Sequence, residues 1–78
     1  MYLADLFHLG YKEGDHVALV GSELTGTLTL IYPKTLTRWE PPHENESMPD
    51  EKHKQILERI ASALRWQNEP FEFEGAFL

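Results

Sequence analysis

The chain has 78 residues, of which 41% are hydrophobic and 12% aromatic, and this is enough apolar material for one small core. Its net charge of -6, from 7 basic and 13 acidic residues, argues against nucleic acid or an anionic membrane as the partner, because such binding depends on Lys and Arg contacts with phosphates. There is no cysteine, which excludes disulfides and thiolate metal sites and fits a reducing cytoplasm.

The amino-terminal half predicts a short helical turn followed by an antiparallel meander. In segment 2–9, the apolar residues Leu3, Leu6 and Phe7 stand three and four residues apart, which favours a helical turn with one apolar side. Further on, short runs rich in β-branched and apolar residues are separated by a turn-forming stretch at 21–26 and by a proline turn, which is typical of hairpin-connected strands. The predicted strands are His16 to Val20, Thr27 to Tyr32 and Leu36 to Trp39.

The carboxy-terminal half predicts one long helix and a final strand. Ser47 followed by Asp50 resembles a capping box, and Pro49 falls in the first turn, where its missing N–H costs nothing. Apolar residues at three- and four-residue intervals predict a helix from about Pro49 to Gln67. Alternation with a period of two over 71–74 predicts a strand whose two phenylalanines face this helix.

Together these elements predict one α+β domain over residues 1–78, in which a small antiparallel sheet, made of a three-strand meander and a C-terminal strand, has one main helix packed on one face. An exposed sheet edge can pair with another chain, so partner binding or a homodimer by strand addition is open, with a covered edge as the alternative. Segment 1–10 lacks the basic start and continuous apolar run of a signal peptide, and no later segment could span a bilayer. We therefore expect a cytoplasmic protein.

The four histidines and the acids around one of them, His43, raise the question of a metal or catalytic site. A zinc-binding helix places two ligands four residues apart, whereas His43 precedes the predicted helix and His53 has no second histidine at that interval. No serine lies in a nucleophile elbow, and no glycine-rich loop opens a helix. We therefore expect no catalytic, cofactor-binding or metal-binding residues and no enzyme activity, with a small enzyme that uses His43 and a nearby carboxylate as the alternative.

Segment 38–46 combines a tryptophan, a rigid proline pair and several acids. Tryptophan is favoured at interface hot spots, prolines reduce the entropy lost on binding, and carboxylates can pair with Lys or Arg of a basic partner. The alternative is that Trp39 belongs to the core, the prolines end a strand and the acids are merely solvated. The residues expected to bind a partner are Trp39, Glu40, Glu44, Glu46, Asp50 and Glu51.

The same segment carries a family resemblance. A strand ending in Leu30-Ile31-Tyr32 leads to Leu36-Thr37-Arg38-Trp39-Glu40-Pro41-Pro42, then to Glu44-Asn45-Glu46 and a helix with an acidic start. In the order and identity of these residues the chain resembles the immunity protein 74 family, small cytoplasmic proteins that accompany secreted toxins of bacterial polymorphic toxin and contact-dependent inhibition systems. The likeness extends over roughly Val17 to Glu74 and leaves Met1 to Gly14 outside.

The resemblance implies a protein that binds and neutralises a cognate toxin domain through protein–protein contact, and it assigns no contact residue. A toxin with a basic surface fits the acidic charge of this chain, and a nuclease, which must grip phosphate, is such a protein. The alternative is a small non-enzymatic regulatory or scaffolding subunit that dimerises through a sheet edge.

Overall fold

A sheet and one long helix share the hydrophobic core of the chain, whose computed structural model describes residues 1–5 and 7–75. The five strands lie in the order β1-β2-β3-β4-β5. The first four form an antiparallel meander, and β5 pairs with β4 in parallel, so the sheet is mixed where an antiparallel one was predicted. The elements are β1 (Tyr2–Asp5), β2 (His8–Glu13), β3 (His16–Thr25), β4 (Leu28–Tyr32), a 3-10 helix (Pro33–Thr35), α1 (Asp50–Trp66) and β5 (Phe71–Phe73). The predicted α+β class, with a helix on a sheet, is confirmed.

Two glycine turns make the long central strand possible. Gly14 and Gly26 both have φ of 60°, a left-handed conformation that glycine adopts without steric cost. They begin the short connections on either side of β3, which pairs with β2 over its first part and with β4 over its second. The stretch 21–26, predicted as a connection, is therefore strand as far as Thr25, because its backbone groups find partners in β4.

The helical turn predicted over segment 2–9 is wrong, because this part of the chain forms β1 and the start of β2. Leu3 and Phe7 are exposed, so their spacing does not mark an apolar helical side, and Leu6 lies outside the described residues. The ring of Tyr2 lies directly over Gly10, where any side chain would collide with it. Strand pairing and this close contact outweigh the local periodicity, and they place β1 at one edge of the sheet.

The strand predicted over Leu36 to Trp39 is also wrong as a continuous element. The 3-10 helix after β4 interrupts the pairing, and the chain returns to β3 through a single bridge between Ala18 and Trp39. One residue later, the Glu40 N–H donates to the carbonyl of Val17 at 2.7 Å. This segment therefore continues the ladder of β4 along the first part of β3, with only one residue in bridge geometry.

The predicted helix is confirmed, but its expected cap is not. Pro49 occupies the N-cap position with no side-chain hydrogen bond, so Ser47 does not act as the cap. The first turn instead carries Asp50 and Glu51, whose charges favour the positive end of the helix dipole. At the other end, Asn68 has φ of 56° and the Glu69 N–H donates to the Leu64 carbonyl at 2.9 Å, which closes the helix in a Schellman arrangement.

The core lies between α1 and one face of the sheet. The buried side of α1 is apolar at three- and four-residue spacing, as the sequence predicted, and it packs on residues that alternate along β2, β3 and β4. Phe71 and Phe73 are partly buried and pack against this core. The buried apolar residues of the helix are Ile56, Leu57, Ile60, Ala61 and Leu64, and those of the strands are Leu9, Tyr11, Ala18, Val20 and Ile31.

Candidate functional site

The acidic end of the molecule, defined as loop 40–49 with the first turn of α1, is where the predicted site residues collect. The loop leaves the sheet after the Trp39 bridge and is folded by two backbone bonds, in which the His43 N–H donates to the Glu40 carbonyl and the Glu46 N–H to the His43 carbonyl, both at 3.0 Å. These turns put the side chains of His43 and Glu46 close together. They also bring both side chains to His16, at the start of β3.

The histidine cluster, which consists of His16, His43 and Glu46, is joined by two short hydrogen bonds. Nε2 of His16 lies 2.8 Å from one oxygen of the Glu46 carboxylate, and Nδ1 of His43 lies 2.5 Å from the other. An ionised carboxylate can only accept, so both ring nitrogens donate. These bonds, first that from His16 and then that from His43, lower the pKa of Glu46 below its usual value. Glu46 therefore stays anionic between two imidazoles.

Trp39 supports the cluster from the interior. Its side chain is only 5% exposed and belongs to the core. The His16 ring meets the Trp39 ring edge-on with centroids 5.0 Å apart, and the His43 ring stacks on the His16 ring at 3.8 Å with an 18° angle between planes. The His16 ring therefore contacts both Trp39 and His43, and these two contacts restrain its orientation.

The predicted partner-binding residues divide into three groups. Trp39 is buried, so it cannot be the exposed anchor that was expected, and it follows the core interpretation instead. Glu46 belongs to the histidine cluster. The rest keep their charge available: Glu40 and Glu44 are half-buried, Asp50 and Glu51 are exposed, and none of these four forms an ion pair with the described part of the chain.

Glu44 has one further property. Its Oε2 atom is buried and, within the described residues, has no hydrogen-bond partner. A buried carboxylate oxygen without a partner carries a desolvation cost, which a donor from a binding partner could remove.

The sequence argument missed His16. The metal-site and catalytic motifs considered for His43 involve residues close in sequence, whereas His16 and Glu46 stand thirty residues apart in the chain. Their contact depends on the loop folding back to the start of β3 after the Trp39 bridge. No local pattern marks that pairing, so only the strand register could have revealed it.

A second charged group ties the helix to β2 near the same end. The Glu13 carboxylate accepts hydrogen bonds from the Tyr11 hydroxyl at 2.7 Å, from Lys52 at 3.0 Å and from Arg59 at 2.8 Å. The Tyr11 bond and then Lys52 lower the pKa of Glu13, while the Tyr11 hydroxyl is the main cause of the raised pKa of Arg59. This group connects strand and helix on the surface, and its members pair with one another, so a structural role accounts for them.

The apolar end is defined by Leu3 on β1, Leu24 near the end of β3 and Trp66 at the end of α1. Both leucines are exposed and line a cleft of about 260 Å³, and Trp66 on the last turn of α1 is 88% exposed. The floor of the cleft includes Leu9 and Leu64 from the core. Exposed apolar side chains around a cleft of this kind are common at contact surfaces.

A comparison with known families matches the model described as Immunity protein 74 over residues 8–74, which is most of the chain. The protein belongs to the immunity protein 74 family. No curated protein and no solved structure matches the chain. The matched range begins earlier than the resemblance noted from the sequence and includes β2, so the strand that contains Leu9 and Tyr11 belongs to the family's pattern.

Membership of this family gives the protein an immunity role and, by implication, a cognate toxin as its partner. Immunity proteins generally act by binding and not by catalysis. Among the described residues, no helix has the length and apolarity needed to cross a bilayer.

Proposed function

We propose that the protein is a cytoplasmic, non-enzymatic immunity protein that neutralises one toxin domain by docking its acidic end on a basic surface of that toxin. The observation that carries the proposal is the family match over residues 8–74. The charge distribution then suggests the surface: four acids at one end have no internal ion pair among the described residues, and the whole chain has a net charge of -6. A nuclease is a toxin with the complementary charge.

The acidic end combines free charge with a restrained backbone. Loop 40–49 is fixed by its two internal turns, by the Trp39 bridge and by the histidine cluster. A restrained loop loses little conformational entropy when a partner binds, so more of the contact energy appears as affinity. Trp39 is buried and supports the loop from the core. The residues that contact the toxin are Glu40, Glu44, Asp50 and Glu51.

The proposal is tested with the purified chain and the toxin domain encoded beside it, by surface plasmon resonance at several salt concentrations. The variant E40K/E44K/E51K should slow association by about tenfold or more and flatten its salt dependence, because steering by the acidic end is lost. The matched control E58K/E69K/E72K makes the same charge change at exposed residues of the helix and the carboxy-terminal region. It should have a much smaller effect.

Two results would contradict parts of the proposal. Equal slowing by both triple variants would mean that net charge alone matters and that the acidic end is not the docking surface. An absence of tight binding to the neighbouring toxin domain, together with a stable dimer in light scattering, would favour the alternative of a subunit that dimerises through an edge strand. The exposed edge strand β1 (Tyr2–Asp5) is the candidate for that contact.

A further inference from the structure

The histidine cluster places two imidazoles on one carboxylate, whereas a simple ion pair needs only one. Each of its three residues offers one donor atom, and these atoms all lie within 4.8 Å of one another. Nε2 of His16 and Nδ1 of His43 are the nitrogens that face the Glu46 carboxylate. Two imidazoles and one carboxylate are the donor set of many transition-metal sites in proteins. We propose that these three side chains form a binding site for one divalent transition-metal ion of the zinc class.

The donor chemistry selects the ion. Imidazole nitrogen suits Zn²⁺, Cu²⁺, Ni²⁺ and Fe²⁺, whereas Mg²⁺ and Ca²⁺ require mostly oxygen ligands. Three protein ligands leave at least one position of a tetrahedral ion to water or to a group from outside the chain. The site is partly open, since the side chains of His16, His43 and Glu46 are 30%, 24% and 53% exposed. An ion bound here faces solvent at the acidic end.

The distances between the ring nitrogens and the Glu46 oxygens are compatible with replacing the two hydrogen bonds by bonds to a metal ion. The nitrogen–oxygen separations, 2.8 Å to one carboxylate oxygen and 2.5 Å to the other, are somewhat shorter than the spacing of about 3.3 Å between ligands of a tetrahedral zinc ion with bonds near 2.0–2.1 Å. Without metal, Glu46 accepts the two ring N–H groups. When the ion binds, the proton of each neutral ring moves through solvent to the other ring nitrogen, which frees the lone pair that faces Glu46. Each of these nitrogens and its carboxylate oxygen then move slightly apart.

The two imidazoles have different tasks in forming the site. Their planes are nearly parallel, so their lone pairs do not meet at one point and one ring has to turn. The His16 ring is held from below by the edge contact with buried Trp39. The His43 ring is carried by loop 40–49 and contacts the His16 ring and Glu46, so we expect it to be the one that rotates. With His16 held in place, only the His43 side chain has to be reordered, which limits the free-energy cost of assembling the site.

A second histidine–carboxylate pair in the same chain provides the matched control. Nδ1 of His8 lies 2.9 Å from the Asp5 carboxylate, a distance similar to those in the cluster, but within residues 1–5 and 7–75 no second imidazole joins this pair in a group of three donors. Nε2 of His53, on α1, lies 3.0 Å from the Pro33 carbonyl oxygen. A metal that required three converging donors would ignore both of these histidines.

The experiment is isothermal titration of the metal-stripped, untagged protein with ZnCl₂ and, separately, with MgCl₂. We expect one Zn²⁺ per chain and no Mg²⁺ binding. H16Q, H43Q and E46Q should each weaken Zn²⁺ binding by about 100-fold, at least as much as the loss of outer-shell partners costs known sites. H8Q and H53Q should leave the affinity unchanged. A Co²⁺-loaded sample should show the visible absorption of tetrahedral nitrogen and oxygen ligation, which H43Q should abolish.

The outcomes decide the proposal without any toxin. Absence of Zn²⁺ binding to the wild-type chain overturns it, and so does binding that persists in H16Q/H43Q or that falls equally in H8Q. If H16Q loses its fold, seen by circular dichroism, H43Q on the surface loop carries the same test. Toxin binding by the metal-stripped protein separates this inference from the proposed function, since either can fail alone.

Discussion

The acidic end and the apolar end of the molecule differ in the type of side chain that they expose. The acidic end is built from chain-distant polar groups, with His16 held against the loop by Glu46 and supported by a buried tryptophan. The apolar end has two exposed leucines that line a cleft and an exposed tryptophan, Trp66, on the last turn of α1. Charge acts over a distance and directs encounter, whereas apolar surface acts only after contact. The acidic end therefore suits recognition of a charged partner, and the apolar end can add only short-range affinity.

The largest expected difference between the ends concerns their two tryptophans. Trp39→Ala removes a buried side chain beneath the histidine cluster and should lower the free energy of unfolding by about 3–5 kcal/mol. Trp66→Ala, at 88% exposure, should change it by less than about 0.5 kcal/mol. Urea denaturation followed by circular dichroism measures both. A similar loss in the two variants would show that the ends do not differ in the way described.

The second expected effect concerns association with the toxin domain. The slowing of about tenfold predicted for E40K/E44K/E51K corresponds to about 1.4 kcal/mol in the association step. High salt should reduce the difference between this variant and the wild-type chain, because screening weakens the steering that the substitutions remove. A difference that persists unchanged at high salt would instead indicate direct contacts or a folding defect. Thermal denaturation of the variant separates these last two.

The third prediction tests the ionic group that holds α1 to β2 near the acidic end. Glu13→Gln should destabilise the protein at neutral pH by about 1 kcal/mol, which is the value of a charged hydrogen-bonding group reduced for its partial exposure. The pKa of Glu13 is lowered from 4.5 in the folded state. Its contribution is therefore present above that ordinary value and is lost as the pH falls through the lower folded value.

The measurement for Glu13 is the stability difference between wild type and Glu13→Gln as a function of pH. The difference should shrink below pH 4.5 and approach zero in stronger acid. Glu23→Gln is a comparison variant. Glu23, on β3, accepts a hydrogen bond from the Tyr32 hydroxyl at 2.8 Å, and it forms no ion pair with the residues that the structure describes. A difference that grows on acidification would mean that the carboxylate is not stabilised by its partners.

Sequence reasoning succeeded where a local pattern matched a local structure. The period of α1 and the alternation of β5 are both read within a few residues, and tertiary packing agrees with them. It failed over segment 2–9, where the spacing of Leu3 and Phe7 imitates a helix while the chain forms an edge strand. There, pairing with β2 and the cover that Tyr2 gives to Gly10 decide the structure, and neither is visible locally.

The candidate site shows the same division. The acids of loop 40–49 were recognised from composition, because a cluster of charges is visible in any window. The burial of Trp39 and the approach of His16 to Glu46 both depend on one long-range bridge, between Ala18 and Trp39. A single sequence carries no signal for such a bridge. Residues that converge through strand register are therefore the part of a site that a sequence reading misses.

The smallest expected effect concerns the apolar end. Leu24→Ser replaces an exposed leucine at the rim of the cleft, so the free energy of unfolding should change by less than about 0.5 kcal/mol. If toxin binding uses only the acidic end, the dissociation rate should also remain unchanged. If dissociation becomes faster while association is unaffected, the apolar end forms part of the interface, because short-range contacts act mainly on dissociation. The two ends would then divide the work of one interface, with charge setting the rate of encounter and apolar contact setting its duration.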